Sequence, residues 1–195
     1  MAVTADDRRQ QILDAAVRVF ARQGYEASRV GDVAKEAGVA YGLVYHYFDS
    51  KEAVLEAVFR EAWGRLLAAV AVAEQAGESA PDQLTLVVKI VLRAWRDEPD
   101  VVRLLVREIT RNPHIQDELD EIGQAFASLE RIIRRGQDEG SFRAEVDARL
   151  AAWMLYGALE EVLTGWVLGQ LPDDAGAVTA AEEEITKTFV HGLCT

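Results

Sequence analysis

Between Val33 and Lys51 two short helical patterns meet at a single glycine, and no other stretch narrows the fold so far. Val33-Ala34-Lys35-Glu36-Ala37 ends at Gly38, and Val39 to Phe48 follows with Tyr45, His46, Tyr47 and Phe48 in consecutive positions. Large rings gain nothing from exposure to water, so a solvated helix rarely crowds them together. Two helices joined through a glycine turn, the second carrying rings, small residues and donors, are built to enter a duplex groove. Such a unit needs a third helix behind it. Ile12, Ala16, Val19 and Phe20 recur at helical intervals over about Ala5 to Gln23, with Gly24 as the stop. Ser28 is placed to cap the second helix, and Asp49 with Glu52 reads as the start of a long fourth helix running to about Gln75.

The rest of the chain keeps the same period. Pro81 opens a helix that places Leu84, Val87, Val88, Val91, Leu92 and Trp95 on one side. Pro99 and Asn112-Pro113 bracket another, with Val102, Leu105, Val106 and Ile109. A long helix from about His114 to Glu139 carries Leu119, Ile122, Phe126, Leu129 and Ile133. Two more span about Val146 to Gln170 and Ala175 to Gly192. Strand alternation and internal repeats are absent. The expected fold is all-α with about nine helices: a three-helix helix-turn-helix domain over 1–50 and a larger helical domain over 51–195.

The motif Ile12-Leu13-Asp14-Ala15-Ala16, Phe20, Gly24-Tyr25, Val33 to Val39, Gly42, Tyr45-His46-Tyr47-Phe48 and Ser50-Lys51-Glu52 resembles the tetracycline-repressor (TetR) family of bacterial transcription regulators. The resemblance covers about Arg9 to Leu55. It implies a homodimer on a near-palindromic double-stranded operator, with half-sites roughly 34–36 Å apart or a multiple of that. It places Ala40, Tyr41, Gly42 and Leu43 toward base edges, Tyr45, His46 and Tyr47 toward phosphates and flanking bases, and Lys51, Ser28 and Arg29 on phosphates. Gly42 allows close backbone approach, and Leu43 suits a thymine methyl. Packing against the first and fourth helices is the other role open to Tyr41, Tyr45 and Tyr47. Gly31 departs from the pattern: many members carry a longer polar residue there.

A net charge of −12 at first argues against a partner as acidic as DNA. The charge is unevenly placed. Residues 1–51 hold seven Lys/Arg and seven Asp/Glu, and the remaining 14 basic and 26 acidic residues lie beyond. A neutral head on an acidic body can meet DNA when the body points away, because exposed charges are largely screened beyond about 10 Å at 0.1 M salt.

Leu150, Trp153, Met154, Tyr156, Leu159, Leu163, Trp166 and Val167 cover more of one helix than a single core can bury. With Phe189 on the next helix, they are the expected dimer surface, a four-helix bundle. A pocket lined by Trp63, Leu67, Val70, Leu92, Trp95, Leu105, Ile109, Phe126 and Leu129 follows mainly from the resemblance, since apolar residues at this spacing are also ordinary core. Arg103, Arg107 and Arg111 share one helix face, and Arg131, Arg134 and Arg135 cluster on the next. Arginine forks suit phosphates. Residues 151–168, with Gly140-Ser141-Phe142-Arg143 before them, look like the fatty-acid-degradation regulators of the family, which implies an acyl-CoA as the apolar ligand. Glu108, Glu118, Glu121, Glu130 and Asp138 are alternative partners for the same arginines, in surface networks worth little.

Other classes find less support. There is no His-Glu-x-x-His, Gly-x-Ser-x-Gly or phosphate-binding Gly-rich loop, so neither an enzyme nor a metal or other cofactor is expected. A regulator of drug efflux or other metabolism that senses an unrelated apolar molecule, and a helical interaction module without DNA binding, stay open. No run reaches the roughly eighteen apolar residues of a membrane span, no secretory start precedes Ile12, and a single cysteine, Cys194, forbids an internal disulfide. A cytoplasmic protein away from membranes is expected.

Overall fold

The computed structural model of the chain describes residues 4–75, 78–109 and 120–195, and of residues 109, 120 and 121 only the backbone. Arg111, Asn112-Pro113, Leu119, the start of the long helix near His114 and the side chain of Ile109 lie outside the described residues.

Among those residues every regular element is a helix. They are α1 (Ala5–Gln23), α2 (Val30–Ala37), α3 (Tyr41–Tyr47), α4 (Lys51–Gln75), α5 (Ala80–Asp97), α6 (Pro99–Ile109), α7 (Asp120–Asp138), α8 (Ala148–Val167) and α9 (Ala175–Ile185). The last continues through a π-helical turn, Thr186–Val190, into His191–Leu193. Among the described residues each of the nine expected helices is found, the seventh from Asp120 onward, and none of them is long and apolar enough to cross a membrane.

Local chemistry sets the helix ends. Thr4 and Asp7 cap α1 reciprocally: Asp7 N–H donates to Thr4 Oγ1 at 3.1 Å, and Thr4 N–H to Asp7 Oδ2 at 2.9 Å. Gly38 ends α2 at φ +65°, a left-handed conformation that glycine adopts without a Cβ penalty. Two expected caps are corrected. Ser28 does not cap α2, because its hydroxyl donates to the Gly24 carbonyl at 2.6 Å and Arg29 holds the cap position. At α4 the capping oxygen is Ser50 Oγ, which accepts from Ala53 N–H at 3.0 Å, instead of Asp49. Cys194 is tied down at the chain end, since it bridges Phe142, and Arg143 N–H donates to Leu193 O at 2.9 Å.

Two apolar clusters form. The head cluster joins Ile12, Ala16, Phe20, Val33, Val44 and Phe48 to Val54, Leu55, Val58 and Phe59 of α4. The body cluster is built from α5, α7, α8 and α9, with Trp95 stacked on Trp166 at 6.2 Å between ring centroids. Each fully buried large side chain contributes about 1.5–3 kcal/mol relative to exposure. Helix α6 packs against α1 and places Leu104 inside the head cluster. Head and body therefore meet through α4 and α6.

Candidate functional site

The second helix of the glycine-hinged pair is held from behind by Val44 and Phe48, both buried in the head. Its other positions face out. Tyr41 is 57% exposed and Tyr45 43%, with Ala40, Gly42 and His46 exposed and Leu43 and Tyr47 half-buried. The Tyr41 hydroxyl donates to Tyr45 Oη at 3.2 Å, and the two rings meet edge to face with centroids 5.1 Å apart. This contact raises the Tyr45 phenol above its ordinary pKa, so that hydroxyl keeps its proton at neutral pH. The result is a projecting pair of hydroxyls on a ring platform. Gly31 lies beside it: a Cβ there would meet Tyr41 Cε2 at 3.8 Å, an ordinary contact.

The phosphate positions divide. Arg29 is exposed. Ser28 is buried with its hydroxyl committed to Gly24, so it does not reach a ligand. Lys51 is turned inward as well. Its Nζ donates to the Tyr25 carbonyl at 3.0 Å and the Ser28 carbonyl at 3.4 Å, and sits 4.1 Å from the Tyr25 ring centroid. An ammonium has three donors and an attraction to a ring face. Lys51 thus clips the α1–α2 connection to the start of α4, a structural role that the sequence did not disclose.

The body encloses a cavity of about 360 Å³. Trp63, Leu67 and Val70 of α4, Leu105 of α6 and Leu129 of α7 line it as expected, and Val87, Ile90 and Val91 form the α5 wall. The Trp63 indole N–H has no acceptor among the described residues. Other expected liners lie elsewhere. Leu92 is fully buried in the body core, Trp95 is stacked on Trp166, and Phe126 stacks on Trp153 with centroids 4.1 Å apart. A helix buries more than one side, and spacing alone does not say which apolar stripe borders a void.

The arginines are corrected too. Arg103 pairs with Asp100 at 2.9 Å and lies over the Trp95 ring at 4.9 Å, and Arg107 is exposed; neither borders the cavity. Arg131 forks onto Glu74 at 3.0 and 3.1 Å, while Arg134 and Arg135 pair with Glu130 and Glu139. The arginine on the wall is Arg65, engaged by Glu61 at 2.9 Å and Glu98 at 2.6 Å.

The fifth wall is α8, whose apolar positions the sequence suggests for a dimer surface. Tyr156, Leu159 and Leu163 face the cavity together with Glu160. Trp166 is buried and Phe189 packs half-buried against the body core. Of the expected set Leu150, Trp153 and Met154 stand out, 60%, 53% and 55% exposed, in a stripe with Leu168. Burial raises the Tyr156 phenol, and burial with the neighbouring Glu161 raises the Glu160 carboxyl. No group of three or more metal-ligating side chains forms among the described residues.

A small head that projects an aromatic helix, carried on a helical body with an apolar cavity, defines a ligand-responsive transcription regulator. Residues 12–58 match the family described as bacterial regulatory proteins, tetR family, and residues 59–192 match the YsiA-like protein C-terminal region. The chain belongs to the TetR family of bacterial regulators. The fatty acid metabolism regulator protein of Bacillus subtilis (strain 168) is 30% identical over 183 residues, covering 93% of this chain and 94% of that protein. The fatty acid degradation regulator FadR of Bacillus halodurans superposes with a TM-score of 0.82 at 29% identity, over 94% of this chain and 98% of that one. FadR of Bacillus subtilis in complex with stearoyl-CoA does so with a TM-score of 0.85 at 28% identity, again over 94% and 98%.

Proposed function

We propose that this chain is a cytoplasmic homodimeric repressor that holds a near-palindromic operator and releases it when a long-chain acyl-CoA fills the body cavity. The observation that carries this reading is the apolar cavity walled by α4, α5, α6, α7 and α8, in a chain similar along 94% of its length to a FadR in complex with stearoyl-CoA. An aliphatic chain gains about 0.8 kcal/mol for each methylene it buries.

Arg29, Ala40, Tyr41, Gly42, Leu43, Tyr45, His46 and Tyr47 are the residues assigned to DNA. The exposed tyrosine pair supports that assignment, because phenol hydroxyls donate to phosphate and base edges. Leu150, Trp153, Met154 and Leu168 form the apolar stripe assigned to the twofold partner. One such head supplies few base contacts, so two are needed for a specific site.

Release follows from a population shift, in which the ligand favours one of two head spacings to the extent that it binds them differently. Helix α6 supports the coupling, with Leu105 on the cavity and Leu104 in the head cluster.

The test is fluorescence anisotropy on an operator selected from a randomised duplex pool, titrated with stearoyl-CoA. The expected result is release, with operator affinity reduced at least about tenfold, or about 1.4 kcal/mol. Undiminished binding at saturating stearoyl-CoA, alongside release by an unrelated apolar compound, would overturn the acyl-CoA assignment.

A further inference from the structure

Glu160 is the feature of the cavity that an apolar ligand does not explain. It lies on the α8 wall close to Tyr156 and Leu163 and makes no hydrogen bond or ion pair among the described residues. An unpaired, half-buried carboxylate works against folding unless something offsets it. Its carboxyl is raised, first by burial and then by Glu161, and a perturbed acid lining a cavity is a candidate functional position. The other ionisable liners give no compensation. Arg65 is already engaged by Glu61 and Glu98, and Asp97 and Glu98 add further negative charge. A carboxylate brought into this cavity therefore meets acids, with no unpaired cation among the described lining residues to receive it.

We infer that Glu160 is a specificity-determining residue that filters ligands by charge, so that the cavity admits an aliphatic chain with an uncharged or cationic end and rejects a free carboxylate. The inference rests on the reading of the cavity as the ligand site, and it explains how an acyl thioester is told from the fatty acid of the same length. Thioester and acid share the apolar chain; they differ in the charge that must be placed near Glu160, Asp97 and Glu98. Like charges brought together away from water repel strongly.

The test uses probes that differ only at one end: dodecanol, dodecanoate and dodecylammonium, titrated calorimetrically against the full chain at pH 8. The wild type is expected to bind dodecanol at least about tenfold more tightly than dodecanoate. Glu160→Gln should bring the two within about threefold of each other, by strengthening dodecanoate, and should weaken dodecylammonium. Glu161→Gln, which removes the same charge outside the cavity lining, should leave the wild-type preference in place.

An alcohol-to-acid ratio unchanged in Glu160→Gln would overturn the inference, as would an equal effect of Glu161→Gln. Stearoyl-CoA titrated in parallel separates the two readings. If it fails to bind while the dodecyl ratio shifts as expected, the acyl-CoA assignment falls and the charge filter stands. If no probe binds the wild type, both fall.

Discussion

Tyr45 and Lys51 were assigned to one task, yet their surroundings differ. Tyr45 is exposed with its ring on Tyr41, so its removal leaves no hole. Tyr45→Ala is expected to weaken operator binding roughly tenfold, about 1.4 kcal/mol, with an unchanged melting temperature; anisotropy and calorimetry together check it. Lys51 satisfies two carbonyls of the α1–α2 connection. Lys51→Met strands the Ser28 carbonyl, leaves Tyr25 O with only the Ser28 N–H at 3.1 Å, and should cost about 1–3 kcal/mol of stability, read as a lower urea midpoint, with operator affinity per folded molecule retained. Glu160 adds a pH dependence. Its raised folded pKa means that the folded chain holds the proton after the unfolded chain has released it. The residue is therefore neutral toward stability below the ordinary carboxylate range and works against folding as pH rises above it. Glu160→Gln should raise the melting temperature at pH 8 by about 2 °C and leave it unchanged near pH ~4. A gain that persists at the lower pH would contradict an ionised Glu160 as its cause.

At the scale of elements, the turn from α7 into the 141–143 segment depends on the absence of a side chain. A Cβ on Gly136 would lie 2.7 Å from Phe142 Cε2 and 2.9 Å from Ala80 Cβ. Overpacking of this kind costs about 1–3 kcal/mol, so Gly136→Ala should lower the urea midpoint while the operator affinity of the folded fraction holds. Helix identities and most ends were legible in the sequence, because Gly24, Gly38 and Pro81 act through the backbone of their own segment. The rotation of α8 was not. Its residues from Leu150 to Leu168 are apolar nearly all round, so no polar face fixes which side turns inward. Trp153 and Trp166 look equivalent in sequence, yet one is half-exposed and the other 4% exposed on Trp95. The arginine networks were illegible for another reason. Arg131 finds Glu74, whose place beside it depends on how α4 packs against α7. Cavity residues were legible on α4 and at Leu105 and Leu129, and not on α8, whose apolar face points equally to a dimer surface.

For the whole molecule, the stripe of Leu150, Trp153, Met154 and Leu168 is an apolar face more than half exposed, with Phe126 stacked on one side of Trp153. Trp153→Arg places a charge in its middle and is expected to yield monomers by sedimentation velocity, with operator affinity reduced roughly a hundredfold through lost avidity. A dimer that persists in this variant would put the twofold surface elsewhere. The acidic excess beyond residue 51 is compatible with DNA binding only if that twofold keeps the bodies away from the duplex. Leu104 carries a separate consequence. This residue belongs to the body helix α6, yet it is only 1% exposed within the head cluster. The reading head is consequently not an interchangeable cassette. Grafting residues 1–50 onto a foreign body would leave behind the isobutyl plug of Leu104 and much of the α4 wall. A working chimera must bring a matching leucine from its new host.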